Sequence, residues 1–134
     1  MAEIDLHGQP GIILRERDDG PDDTVADVAS LLPALDPTPM GWKHRDWFLG
    51  LDHQAVFDRA GNIGPTVWWN GEIIGSWAIT AAGDLRTRVL VDRGAAAIAA
   101  VDTAAAQLHQ RLNGATVTPV IRTPLELSIT RARP

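Results

Sequence analysis

The sequence contains no cysteine among its 134 residues. Disulfide bonds, thiolate zinc sites and cysteine nucleophiles are therefore excluded, and any metal site would need His, Asp and Glu ligands. No apolar run approaches the roughly 20 residues of a membrane-spanning helix. The N-terminus MAEIDLHG also lacks the basic and then apolar profile of a signal peptide. We therefore expect a cytoplasmic protein without membrane contact.

Positive charge is also scarce. The chain carries 12 Lys and Arg residues against 17 Asp and Glu residues, which gives a net charge of −5. Much of the acid lies in the segment 15–23 (RERDDGPDD), whose Gly-Pro pair and charge favour a solvated loop over an acidic binding site. Because the average field repels phosphate, any nucleic-acid contact has to be local.

Tyrosine is absent and phenylalanine occurs twice, yet there are five tryptophans. All five lie within 36 consecutive positions, at Trp42, Trp47, Trp68, Trp69 and Trp77. Rings of this size dominate either a small core or a binding surface. The tryptophan-rich region therefore predicts where the stability or the recognition of this protein resides.

The N-terminal half predicts short β-elements with irregular connections. Two apolar runs, Ile4–Leu6 and Ile12–Leu14, flank a Gly- and Pro-containing turn and indicate a hairpin. The apolar residues between positions 24 and 35 favour a strand over a short helix, and the prolines that follow forbid its continuation. Residues 41–58 have no clean period and predict irregular structure, with a short helix or strand near 47–49.

The strongest local signal is Asn70-Gly71 between β-forming residues, because a type I′ hairpin turn needs positive φ at both central positions. The expected cross-strand pairs are Trp69 with Glu72, Trp68 with Ile73, and Val67 with Ile74. Strict alternation then places Trp68, Ile73 and Trp77 on one face and Val67, Trp69 and Ile74 on the other. Both faces are apolar, which favours a strand pair covered on both sides.

A helix is predicted over 94–112, followed by a stop at Asn113-Gly114. Its expected apolar stripe consists of Ile98, Val101, Ala105, Leu108 and Leu112. A strand is expected at 85–91, a last strand at 117–121, and a fraying tail after it. We therefore expect one α+β domain over 1–134, in which a small antiparallel barrel-like sheet of about six strands is covered by one long C-terminal helix.

Lys43, His44 and Arg45 lie between Trp42 and Trp47 and form the one place where basic and aromatic residues interleave. Basic residues that hold phosphates beside a stacking or wedging ring can contact DNA. The alternative is that Arg45 pairs with an acid such as Asp46 or Asp36 and that both tryptophans are core.

Trp69, beside the hairpin turn, is a further candidate for DNA contact. Its ring either packs inward or projects as a wedge. The candidate DNA-binding residues are Lys43, His44, Arg45 and Trp69.

Other chemistry finds little support in the sequence. Asp36 before Pro37 fits a turn initiator better than a general base. His44 and His53 match no metal-ligand spacing, which favours surface histidines over a metal site. Gly75 and the glycines within 61–64 resemble bulge and turn positions more than a phosphate cradle. We expect no catalytic residue, metal or cofactor.

Three motifs in succession carry a family resemblance: LLPALDP, then W-x-x-R-D-W-x-L-G, then R-x-G-N-x-G-P-T-V-W-W-N-G-x-I-I-G-x-W ahead of the long helix. The chain resembles the C-terminal part of winged-helix DNA-binding proteins of the AlkZ-like and YcaQ-like DNA glycosylase family. The matching positions are Leu31, Leu32, Pro33, Asp36, Pro37, Trp42, Arg45, Gly64, Gly71, Gly75 and Trp77.

In that family, the resemblance implies, tandem winged helices precede a barrel-like C-terminal domain, and the whole excises alkylated or crosslinked bases from duplex DNA. Catalysis there depends on a Gln-x-Gln or Gln-x-Asp element in the winged-helix part, which this sequence lacks. We therefore expect a non-catalytic accessory or truncated DNA-repair module that contacts double-stranded DNA weakly or binds a winged-helix partner protein. The alternative is a protein-interaction or small-ligand-binding barrel without DNA binding, which the acidic balance favours.

Overall fold

Within the part of the chain that the structure describes, six strands form two separate antiparallel sheets. The computed structural model describes residues 1–6, 8–15 and 26–132. The strands are β1 (Ala2–Leu6), β2 (Gln9–Ile13), β3 (Ala29–Leu32), β4 (Thr66–Trp69), β5 (Glu72–Ile79) and β6 (Leu85–Val89). The helices are α1 (Pro37–Met40), α2 (His53–Val56), α3 (Ala95–Leu112) and α4 (Pro124–Arg131).

The sheets have the strand orders β1-β2 and β3-β4-β5-β6. The predicted N-terminal hairpin is confirmed, as are strands within the 24–35 and 85–91 regions. The predicted single barrel-like sheet of about six strands is not what the structure shows: within the described ranges, β3 and β6 are the edges of an open four-stranded sheet, and β1 and β2 pair only with each other. Helix α3 on one side, and the β3–β4 connection with α4 on the other, bury the apolar faces of the larger sheet without ring closure. Most of the predicted charged loop, residues 16–23, lies outside the described residues.

The hairpin turn between β4 and β5 is confirmed. Asn70 has φ 47° and Gly71 has φ 84°, as a type I′ turn requires. The pairs Trp69 with Glu72 and Trp68 with Ile73 are also confirmed. Val67, however, pairs with Gly75 and not with Ile74, because a β-bulge inserts one extra residue into β5 at this point.

The bulge changes which tryptophans share a face. Since one extra residue shifts the alternation by one position, Trp77 lies with Val67 and Trp69 in one core cluster. Trp68 and Ile73 belong to the cluster on the other side of the sheet. The predicted grouping of Trp77 with Trp68 is therefore wrong, although both rings are buried.

Both faces of the four-stranded sheet are covered, as the hairpin pattern indicates. On one face α3 packs against β3, β4 and β6, with Ala97 and Val101 in the shared core. On the other face the chain between β3 and β4 contributes Phe48, Val56, Phe57 and Ile63 to the second core. The sheet is therefore the middle layer of three, and the tryptophan-rich connection forms one outer layer.

Helix α3 begins and ends within one residue of the predicted 94–112 range. Its buried stripe is shifted, because Ala97 is 1% exposed whereas Ile98 is 48% exposed. The alanines near the start of α3 let it approach the sheet closely, which leaves the larger side chain outside. No described helix, α3 included, is long and apolar enough to cross a membrane.

The chain after α3 differs from the prediction. Residues 117–121 form no strand, and the expected fraying tail contains helix α4. The helix starts with Thr123 as its N-cap, whose Oγ1 accepts from the N–H of Glu126 at 3.3 Å, followed by a proline in the first turn. The buried Glu126 carboxylate also accepts two hydrogen bonds from Arg122, at 2.6 and 2.9 Å. Helix α4 packs against β5, β6 and α2, and Arg88 of β6 donates a hydrogen bond to Ser128 Oγ at 2.8 Å.

Candidate functional site

The segment 41–49 begins directly after helix α1. Asp36 accepts a hydrogen bond from the N–H of Thr38 at 2.9 Å and caps this helix, which supports the turn interpretation of Asp36 over a general base. The chain then runs without regular structure to a single turn, closed by hydrogen bonds from the N–H groups of Phe48 and Leu49 to the Arg45 carbonyl. A single bridge then pairs Leu49 with Ile73 of β5. The predicted helix or strand near 47–49 is thus reduced to one turn and one bridge.

A ladder of four aromatic rings leads from the core to the surface in this segment. Trp68 stacks on Phe48 with centroids 5.7 Å apart, and Phe48 meets Trp47 edge to face at 4.8 Å. Trp47 in turn meets Trp42 edge to face at 5.6 Å. Exposure rises along the ladder from 1% at Phe48 to 53% at Trp42. A largely exposed indole is therefore held in place by a rigid aromatic support.

A groove of about 500 Å³ opens beside the end of the ladder. It is lined by Pro10, Gly41, Trp42, Lys43, His44, Asp46 and Trp47. The Trp47 indole N–H donates to the His44 carbonyl at 3.1 Å. This hydrogen bond fixes the backbone from His44 to Trp47. Lys43 and His44 are both exposed, so their polar groups reach solvent at the groove. We call this site the Trp42 groove.

Arg45 lies apart from Lys43 and His44. Its guanidinium lies 4.6 Å from the centroid of the Phe57 ring, and its Nη1 lies 3.3 Å from His53 Nε2. His53 itself stacks on Phe57 at 4.2 Å. Among the described residues no ion pair involves Arg45, so the alternative in which Arg45 pairs with Asp46 or Asp36 is not observed. Arg45 therefore anchors the segment by a cation–π contact beneath the exposed loop.

Trp69 lies away from the Trp42 groove. Its ring is 8% exposed and belongs to the core cluster that α3 covers, beside Val67 and Ile74. Of the two alternatives for Trp69, inward packing is the one that the structure shows. The structure thus brings together Lys43 and His44, places Arg45 behind them, and separates Trp69 from all three.

A tight turn at 58–62 directly follows Phe57, on whose ring Arg45 packs. The side-chain amide of Asn62 donates to the Asp58 carboxylate at 3.0 Å, and it is the largest cause of a pKa of Asp58 below the ordinary carboxyl value. The backbone N–H groups of Asn62 and Ala60 lower this pKa further. Asp58 is thus kept ionised as a turn former. His53 contacts Arg45 and Phe57, and no group of three His, Asp or Glu side chains in the described ranges is arranged to bind a metal ion.

Sequence reasoning missed two parts of this site. Pro10 reaches the groove from the separate β1-β2 hairpin, and Phe57 supports Arg45 from 12 residues further along the chain. Neither contact has a sequence signal, because both depend on how distant segments pack. The exposure of Trp42 had a partial signal, since it directly follows the glycine at which α1 ends.

The comparisons with known proteins agree with the motifs that surround this site. A family model described as DNA glycosylase AlkZ-like matches residues 2–111. The search of curated proteins and the search of solved structures each returned no match. The match spans the β1-β2 hairpin, the Trp42 groove, the four-stranded sheet and nearly all of α3, and it ends before α4. The chain therefore belongs to the AlkZ-like DNA glycosylase family, as the sequence motifs indicate.

Proposed function

We propose that this chain is a non-catalytic accessory module of its DNA-repair family and contacts double-stranded DNA weakly through the Trp42 groove. The observation that carries the proposal is the groove itself, where Lys43 and His44 are exposed beside an indole that the aromatic ladder holds outward. Basic side chains position a phosphate backbone, and a rigid ring beside them contacts sugar or base. Family membership makes DNA the natural ligand for this combination.

The electrostatics of the chain set the strength of the contact. Lys43 and Arg45 are the formal cations of segment 41–47 and Asp46 is its anion, so the segment is locally positive within a chain of net charge −5. Lys43 at a phosphate and Arg45 through its field release few counterions, which predicts a shallow log–log dependence of affinity on salt with a slope of about −2. Arg45 contributes mainly through its field and by holding the loop, because its guanidinium is packed on Phe57.

Changing Lys43 to alanine is expected to weaken duplex binding at low salt and to make the salt slope shallower by about one. The reason is the loss of one cation that meets a phosphate. Fluorescence anisotropy with a labelled duplex, measured from low to physiological salt, gives both quantities. The matched control is Arg111→Ala, which removes one positive charge from an exposed position on α3. Equal losses of duplex affinity in the two variants would mean that binding depends only on net charge, and would contradict a contact at the Trp42 groove.

The second expected result concerns catalysis. The purified chain should release no base from alkylated or crosslinked duplex under single-turnover conditions, because the Gln-x-Gln or Gln-x-Asp element of the family is absent from its sequence. Product would be sought by cleavage of the abasic site and gel analysis at high protein excess. Base release that a point substitution in this chain abolishes would contradict the accessory role.

The rival function is a protein-interaction or small-ligand-binding module without DNA binding. The net charge of −5 favours it, and a groove that contains an exposed indole also suits an apolar ligand. A winged-helix protein is the partner that family membership suggests. Absence of duplex binding even at low salt would make this rival the better account.

A further inference from the structure

We propose that the Trp42 groove takes an unpaired nucleobase of DNA, which stacks on the Trp42 indole while Lys43 and His44 hold the adjoining backbone. This inference rests on the proposed function and gives it a substrate class: DNA with a bulged, gapped or otherwise unpaired nucleotide, in preference to intact duplex.

The Trp42 ring is available for stacking. It is 53% exposed, whereas Trp68, Trp69 and Trp77 are 8–9% exposed. Its plane crosses that of Trp47 at 86°, and a perpendicular contact covers at most one face of an indole. The ladder behind it removes much of the freedom that an exposed side chain would lose on binding. The ring is therefore pre-organised to receive a flat aromatic ligand.

The groove suits a nucleotide in size and in chemistry. Its volume of about 500 Å³ lies within the range of sites that bind small organic ligands. Pro10 and Trp47 add apolar walls around the ring, while Lys43 and His44 supply polar groups for a phosphate. Asp46 repels a phosphate from its own part of the rim, which directs the backbone towards Lys43. A base on the indole and a phosphate at Lys43 would satisfy both kinds of surface.

Selection against intact duplex follows from stacking. Within a duplex both faces of each internal base are covered by its neighbours, so an indole can stack on a base only when that base is unpaired or displaced. Unstacking costs a few kcal/mol for a paired base and least for one already unpaired. An accessory module with such a groove would mark a disturbed nucleotide without any chemistry of its own.

The test compares three DNA ligands of the same sequence: a duplex with a one-base bulge, the single strand and the intact duplex. Affinities of the wild type, Trp42→Ala and Trp42→Phe are measured at low salt, with Ile98→Ala as the control for an exposed apolar residue elsewhere. We expect the wild type to prefer the bulged duplex and the single strand over the intact duplex. Trp42→Ala should weaken binding to the unpaired ligands by roughly 5- to 100-fold. Trp42→Phe should retain part of the preference, and Ile98→Ala all of it.

Tryptophan fluorescence gives a second readout. Because Trp42 is far more exposed than three of the other four tryptophans, an unpaired base should quench its emission on stacking. This quenching should disappear in Trp42→Phe even where binding persists. A Trp42→Ala variant that binds bulged and intact duplex as the wild type does would overturn the inference, while the Lys43→Ala result decides the proposed function separately.

The remaining outcomes are equally decisive. Wild-type binding to intact duplex with no preference for the bulge refutes the unpaired base and leaves the proposed function in place. A higher affinity for a proline-rich peptide than for any of the three DNA ligands, lost in Trp42→Ala, would assign the groove to a protein partner instead. No binding to any DNA at low salt would refute both proposals together.

Discussion

Replacing Gly75 by alanine is expected to destabilise the protein by more than about 3 kcal/mol, above the usual cost of overpacking a core. A Cβ at this position would lie 2.1 Å from the Arg88 carbonyl oxygen and 2.9 Å from Val89 Cα, both backbone atoms of β6. A side chain can turn away from such a contact, whereas a paired strand has to move as a whole. The free energy of unfolding from chemical denaturation measures the effect.

The control for this prediction is Gly83→Ala. Gly83 has φ 90° and open space around its Cα, so alanine there should cost only backbone strain, about 1 to 2 kcal/mol. Gly75 is not among the positive-φ glycines, which means that its cost is purely steric. If the two variants lose similar stability, close approach of β5 and β6 is not what requires glycine at position 75.

In the β4-β5 hairpin, the sequence predicts the turn and the adjacent pairs but not the register beyond the bulge. Asn70-Gly71 predicts both the turn and the first two cross-strand pairs, because the turn type fixes the local register. Gly75 is recognisable as a bulge or turn position, but its effect on register depends on how closely β6 approaches. The same bulge then decides the face on which Trp77 lies. The alternation of side chains along the sequence cannot predict the face of Trp77, because one inserted residue moves every later side chain to the opposite face.

The sequence also predicts the bounds of helix α3 better than its buried face. The period of α3 predicts its bounds to within one residue, yet the buried stripe includes Ala97 and leaves Ile98 outside. Hydrophobic size favours Ile98, whereas close packing against the sheet favours alanine, and packing prevails. Helix α4 had a readable signal in Thr123-Pro124-Leu125-Glu126, the sequence pattern of a capping box with proline in the first turn.

The candidate site could be predicted in part. Basic and aromatic interleaving indicated the 42–47 loop, in which Lys43 and His44 lie together beside a ring. The choice of ring was not predictable, because Trp42 and Trp69 differ only in what packs over them. Trp69 is covered by α3, while Trp42 stands at the end of a ladder formed by the 41–49 segment and β4. Exposure is a tertiary property, and it is the property on which the proposed function depends.

The Trp77→Ala substitution is expected to destabilise the protein by roughly 3 to 5 kcal/mol. The ring is 8% exposed in the core beneath α3, so its removal leaves a cavity. Its indole N–H also donates to the Leu32 carbonyl at 2.8 Å, which links β5 to the end of β3 across the intervening strand. Loss of this donor leaves a partly buried carbonyl without its partner and adds to the cost. Thermal and denaturant unfolding measure the combined effect.

Two further variants separate the contributions of Trp77. Trp77→Phe keeps a ring in the core but removes the donor, so we expect a smaller loss than for alanine, about 1 to 3 kcal/mol. Trp42→Ala makes the same chemical change at an exposed position, where truncation leaves no enclosed cavity and the expected loss is below about 1 kcal/mol. A Trp77→Ala protein as stable as Trp42→Ala would contradict the core position of Trp77. A large loss of stability in Trp77→Ala beside a small loss in Trp42→Ala would show that the Trp77 ring stabilises the fold, whereas the Trp42 ring is not needed for folding and is available for binding.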